Sequence, residues 1–200
     1  MYASRSNLDT GKIPTMKTAV TLISLSGITI ITRLIFKSKL LYSWDSVNFA
    51  YGMQTFDIVK HRPHPPGYIL YVSTARFINF LAGDENSSLV LLSIAMCVLA
   101  VIPLYALGKQ MFNERYAVIS VLLFITSPIA WFYSEVALSY EVEAFFSVAI
   151  AYACYRVLTG SVGWGYIGVL LLGMAGGFQC GIAGVLLPQY YDGAYLLSLT

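Results

Sequence analysis

The sequence predicts an all-α polytopic membrane protein of about five transmembrane helices, with juxtamembrane helices in the first external loop. Three observations carry this expectation. Of 200 residues, 58% are hydrophobic and 11% charged, and mean hydropathy is +0.70, which is not the balance of a soluble domain. Apolar runs long enough to span a bilayer core recur along the chain, separated by short polar interruptions. Charged residues are few inside those runs and collect in the interruptions between them. The net charge of +2 and the lack of a basic tract exclude nucleic-acid binding.

Residues 1–16 form a polar tail on the cytoplasmic side. No small-residue cleavage site follows the first apolar run, so that run reads as a retained helix and not a removed signal. It extends over 17–36, with Arg33 near its far end, where a long side chain can snorkel to the headgroups. Next comes a polar island, Tyr42 to Tyr71, rich in charge and proline. The stretch from Pro65 to Ala82 is apolar on one face but carries Ser73, Thr74, Arg76 and Asn79. An interfacial helix therefore competes with a crossing.

Leu89 to Leu107 is a clean span with Pro103 near its end, and Tyr116 to Trp131 crosses again. A second polar interruption holds Glu135, Glu141 and Glu143. If this run is one helix from Ser134, Glu135 and Glu143 share a face and Glu141 points elsewhere. A further span ends near Tyr155 and Arg156, and a Gly-rich span covers 165–187. Its Gly173, Gly176, Gly177 and Gly181 would admit close helix neighbours. Residues 17–188 thus form the transmembrane domain, and 189–200 stop without a cap or polar tail, as a truncated or frayed end would. Cys97, Cys154 and Cys180 each stand alone in apolar runs, which gives no disulfide framework and no metal site.

Two acidic sites can cooperate only on one side of the membrane. If Pro65 to Ala82 crosses, Asp45 and Glu135 face opposite sides; if it lies in the interface, they share one. The interfacial option also puts Arg5, Lys12, Lys17, Lys109, Arg115 and Arg156 together on the cytoplasmic side. It is the option adopted here, although Lys37, Lys39, Lys60 and Arg62 fall outside.

Asp45 follows Trp44 directly after the first span. A carboxylate there can take a proton from a hydroxyl or amide, or hold a divalent cation beside a phosphate. Asp45 or Ser46 could equally serve only as the N-cap of a helix over 47–58. Lys60, His61, Arg62 and His64 place cationic donors together ahead of Pro65, Pro66 and Gly67. Such a cluster suits a phosphate, or equally an anionic lipid surface. Glu135, Glu141 and Glu143 stand at the end of a span, where carboxylates are costly unless they line a cavity or find partners.

In order and spacing these features resemble the GT-C class of membrane glycosyltransferases, in particular the protein O-mannosyltransferase and aminoarabinose-transferase-like branch. The series is Trp44-Asp45-Ser46 after the first span, His64-Pro65-Pro66-Gly67-Tyr68, a span ending LYALGKQMF, then TSP, an acid motif before AFF, and GGF followed by LLP. It covers about residues 17–188. The resemblance implies inverting transfer of a sugar from a polyprenyl-phosphate donor to a protein, lipid or glycan acceptor. The reaction would take place at the external face of a prokaryotic plasma membrane, ahead of the lumenal face of the endoplasmic reticulum.

On this resemblance Asp45 is the base that deprotonates the acceptor, with Mg or Mn as a possible divalent cofactor at Asp45. The second acid maps onto Glu141 or Glu135, since Tyr140 stands where an aspartate is expected. Arg62 and His64, ahead of Lys60 and His61, become the donor-phosphate contacts. Gln179 replaces a basic residue expected after GGF. Two other readings remain: an inactive truncated relative or membrane partner, and a transporter fragment. The last predicts charges inside spans, where only Arg33 and Arg76 come near.

Overall fold

The computed structural model describes residues 16–179, and among them every regular element is helical. α1 (Met16–Phe36) and α4 (Glu85–Met111) are long and apolar enough to cross a membrane. Between them lie α2 (Trp44–Gln54), a 3₁₀ turn over Ile58–Lys60, and α3 (Ile69–Ala82). α5 (Glu114–Thr126), α6 (Pro128–Tyr133), α7 (Tyr140–Leu158) and α8 (Trp164–Phe178) follow.

α4 is the central post. One core packs its first half against α2, α3, α7 and α8 through Phe49, Tyr71, Leu89, Phe146 and Phe178. A second packs its later half against α1 and α5 through Leu25, Val101, Tyr105, Ala117 and Val121. α1 presents little of itself to the bundle: 17% of its most apolar window is buried. Helices surrounded by lipid gain no hydrophobic drive from pairing, so polar ties count, each worth about 0.6 kcal/mol on average. Two such ties fasten the ends of α1: Lys109 Nζ donates to Thr18 Oγ1 over 2.7 Å, and Arg33 Nε to Ser134 Oγ over 2.6 Å. The snorkelling expected of Arg33 does not occur, because its side chain is fully buried in the bundle.

The segment between α1 and α3 is built by local capping. Ser43 is the N-cap of α2, its hydroxyl accepting from the Ser46 N–H while the Ser46 hydroxyl accepts from the Ser43 N–H. This is a capping box. Asp45 therefore sits in the first turn and is not the cap, and the helix ends at Gln54, short of 58. Arg76 closes the other end of α2 from α3, donating to the carbonyls of Gly52 and Met53. Gly52 is required there, since a Cβ would come within 2.9 Å of the Pro63 ring and nitrogen.

α3 stays near one end of the bundle. Its Asn79 accepts from Ser88, in the early part of the 27-residue α4, and its Tyr71 is fully buried against that helix. Its first turn lies at the end of α8, where Leu70 fills the space a Cβ on Gly177 would need. Gly173, by contrast, faces open space and supports no close approach. Gly181 and Cys180 lie outside the described residues, while Cys97 and Cys154 are free thiols.

The crossing expected over 116–131 is two helices. Pro128 opens α6, and Ser127 before it is driven to φ −59°, ψ 131°, which ends α5. The run from Ser134 is likewise no single helix. It unwinds between α6 and α7, so Glu135 and Glu143 do not share a helical face. The unwound Val136 carbonyl accepts from the Leu138 N–H, and the single proton of the buried Ser93 hydroxyl lies within 3.0 Å of both the Val136 and Leu138 carbonyls, a polar supply of the kind that irregular backbone deep in a membrane protein requires. Pro103 lies inside the continuous α4.

Candidate functional site

Three chain segments meet at the end of the bundle where α1 stops and α4 begins. The Ser38 N–H donates to the Glu135 carbonyl over 2.8 Å. Asn86 donates to the Ser38 carbonyl over 3.0 Å, and Lys37 reaches Ser87 at 3.4 Å. Across this end Ser139 donates to Gln179 over 3.1 Å, tying the start of α7 to the end of α8. The opposite end holds Lys109, Arg156 and the contacts of Gln110 with Tyr152 and Tyr155. The Asp45 segment and the Glu135 segment thus share one end of the bundle.

Asp45 is 49% exposed in the first turn of α2, with His64 Nδ1 3.7 Å from Oδ1. That is beyond hydrogen-bond length but close enough for a protonated imidazole to act as a charge partner. The His64 ring is held by Phe49 and Tyr68, at 5.3 and 4.9 Å between centroids, and its Nδ1 is buried with no hydrogen-bond partner. Burial raises the Tyr140 phenol above its ordinary value, and the neighbouring Tyr133, Asp45 and Glu143 add to that rise. An aromatic row lies along the same end: Tyr42 on Phe132 at 4.9 Å, Phe132 on Tyr133 at 5.3 Å, Tyr133 on Tyr140 at 4.3 Å.

The two acids expected to be the second catalytic group have different surroundings. Glu135 is half-buried in the turn after α6. Burial raises its carboxyl above the ordinary range, and the nearby Arg33 charge opposes that rise. Glu141, in the first turn of α7, is 2% exposed. It lies beside the Cys97 thiol and within the attraction of Arg33, with Oε2 buried and unpartnered. Glu143 neighbours Gln179, so Gln179 takes a polar role in place of the expected base.

The cationic cluster divides. Asp57 caps the 3₁₀ turn through the N–H groups of Val59 and Lys60 and pairs its backbone with Arg62. Lys60 is 72% exposed and 3.4 Å from the Asp57 carboxylate. Arg62 lies over the Tyr51 ring at 5.2 Å, and His61 is exposed in the left-handed region at φ 54°. Lys60, His61 and Arg62 therefore project from a tight exterior turn, while His64 alone turns inward to Asp45. Among the described residues no three His, Cys, Asp or Glu side chains gather as metal ligands. Asp45 with one imidazole nitrogen does not make the oxygen-rich set that Mg or Mn prefers.

Arg33 is the polar residue that the sequence reading misplaced. The signal was present in its spacing, because Thr18, Leu25 and Thr29 precede it on one stripe of α1, and that stripe is the buried face.

A sequence profile of the family described as dolichyl-phosphate-mannose-protein mannosyltransferase matches residues 63–199. Neither the curated proteins nor the solved structures contain a match to the chain.

Proposed function

The chain belongs to the dolichyl-phosphate-mannose-protein mannosyltransferase family, and from that premise we propose that it moves a sugar from a polyprenyl-phosphate donor to an acceptor at the external membrane face. The family makes it a membrane glycosyltransferase of mannosyltransferase type; sugar, acceptor and face belong to the proposal. The observation that carries the reading is the meeting of the Asp45 segment with the Glu135–Tyr140 segment at one bundle end, tied by the Ser38–Glu135 backbone bond. Both ends of α3 stay near that end, which supports an interfacial and not a crossing placement.

In this mechanism the acceptor hydroxyl gives its proton to Asp45 as its oxygen attacks the anomeric carbon of the donor sugar. The bond from that carbon to the phosphate oxygen breaks, and the lipid phosphate leaves with the electron pair. The reaction inverts the anomeric centre, since attack and departure are on opposite faces. His64 stands 3.7 Å from the Asp45 carboxylate, where its imidazole can orient the base toward the acceptor. Arg62, Lys60 and His61 supply charge that binds the donor phosphate at the membrane surface, alike before and during its departure. Acceptor selection falls to groups at the same end, with Tyr140 in the field of Asp45.

The test is Asp45→Asn in the full-length protein, in membranes, with transfer measured from a polyprenyl-phosphate mannose to a hydroxyl-bearing peptide. Loss of at least about a hundredfold in rate is expected for removal of a general base. Unchanged turnover would overturn the assignment.

A further inference from the structure

Arg33 lies in α1, one of the two helices long and apolar enough to cross a membrane, and its side chain is fully buried. A charge in such a place is costly and is retained where protein groups hold it. Its holders come from three successive elements. The second guanidinium nitrogen, Nη2, donates to the carbonyl of Ile125 in the last turn of α5. The guanidinium carbon stands 4.0 Å from the centre of the Trp131 ring on α6. Nε donates over 2.6 Å to the hydroxyl of Ser134, in the turn that leads to α7. That hydroxyl in turn donates within 2.7 Å of the Ala130 carbonyl, so the turn is bound back to α6 as well.

The joint these contacts close is the one that the Ser127–Pro128 break opens between α5 and α6. Arg33 spans it like a brace, and its charge attracts both carboxylates that follow, Glu135 and Glu141. The segment leaving α1 then grips the joint from its outer side through the Ser38–Glu135 bond. We infer that Arg33 is a positioning residue: its planar fork fixes the α5–α6–α7 joint against α1 and holds the second acidic segment beside the Asp45 segment. The consequence for transfer rests on the function proposed above; the brace itself does not. Lysine cannot replace it, because an ammonium is a point charge and cannot serve Ile125, Trp131 and Ser134 together.

The test compares wild type, Arg33→Lys and Ser134→Ala as full-length protein in lipid nanodiscs, by amide hydrogen exchange read segment by segment. In both variants the Ser38 amide and those of residues 134–139 are expected to exchange about tenfold faster, with α4 amides over 89–100 within about twofold of wild type. In parallel, kcat for sugar transfer should fall about tenfold or more while the KM values of donor and acceptor stay within about twofold, as for misplacement of a catalytic group. Unchanged exchange at the joint in both variants overturns the inference. So does uniform acceleration through α4 and the joint alike, which would make Arg33 a general support of the bundle. Local acceleration in a protein whose wild type transfers no sugar upholds the brace and removes the proposed function, so the two failures are distinguishable.

Discussion

The carboxylate of Asp45 and the Nδ1 of His64 come within 3.7 Å across the segment between α1 and α3. Phe49 and Tyr68 fix the imidazole there, so the pairing is held by ring packing and not by a hydrogen bond. His64→Gln keeps a polar side chain but removes the charge partner of Asp45. Its kcat should drop about ten- to a hundredfold with the donor KM little changed, measured by initial rates of sugar transfer. A raised donor KM at unchanged kcat would instead make His64 a phosphate contact.

Arg62 and Lys60 should show the reverse signature. They stand on the exterior turn, with Arg62 on Tyr51 and Lys60 on Asp57. Arg62→Ala should raise the donor KM about tenfold while kcat stays within about twofold, because the contact is uniform to ground and transition state. Lys60→Ala should cost less, since a well-exposed ammonium already screened by solvent contributes little. Titration with salt should weaken donor binding in wild type more than in Arg62→Ala.

Asp84 is the N-cap of α4, its side chain accepting from the Ser87 N–H over 2.8 Å. Asp84→Ala should cost about 1 kcal/mol of stability, by loss of the cap. The hydrogen bonds to Ser87 hold the Asp84 carboxyl below its ordinary value. A depressed carboxyl contributes stability that is fully present above the unfolded-state pKa and is lost as pH falls through the folded-state pKa. The wild-type advantage over Asp84→Ala should therefore persist at neutral pH and shrink below about pH 4, as read from thermal unfolding at several pH values.

Two glycines should respond differently to an added methyl group. At Gly52 the new Cβ would meet the ring and backbone nitrogen of Pro63 at 2.9 Å, and neither can easily move. At Gly177 it would meet the side-chain end of Leu70, which can rotate away. Gly52→Ala should destabilise by about 1–3 kcal/mol, and Gly177→Ala by less. Equal unfolding temperatures for the two variants would contradict the close approach of α2 to the Pro63 turn.

Periodicity and composition were sufficient for the elements that lipid and local chemistry dictate. The apolar run over 17–36 becomes α1 (Met16–Phe36), and the span ending near Arg156 becomes α7 with Arg156 in its last turn. Counting crossings left Asp45 and Glu135 on one side or on opposite sides according to whether 65–82 spans, and it is the fold that brings their two segments to one end of the bundle. The break at Ser127 was written in the Ser-Pro pair, yet the apolar run around it masked the signal. Ser43 was missed as the cap of α2 because Asp45 and Ser46, one turn on, are equally good capping types.

The sequence by itself determined that this chain is helical, lives in a membrane and carries its acids and cations at the ends of apolar segments, because hydropathy acts on each segment separately. Tertiary structure decided which of those polar groups meet. Arg33 turned inward because Ser134, Ile125 and Trp131 together outweigh the headgroups within reach of one long side chain. His64 left the basic cluster for Asp45 because Phe49 and Tyr68 hold its ring. Glu141 was buried beside Cys97 while Glu135 stayed half-exposed. Each outcome depends on partners from distant segments, and no local pattern specifies partners that only packing brings into range.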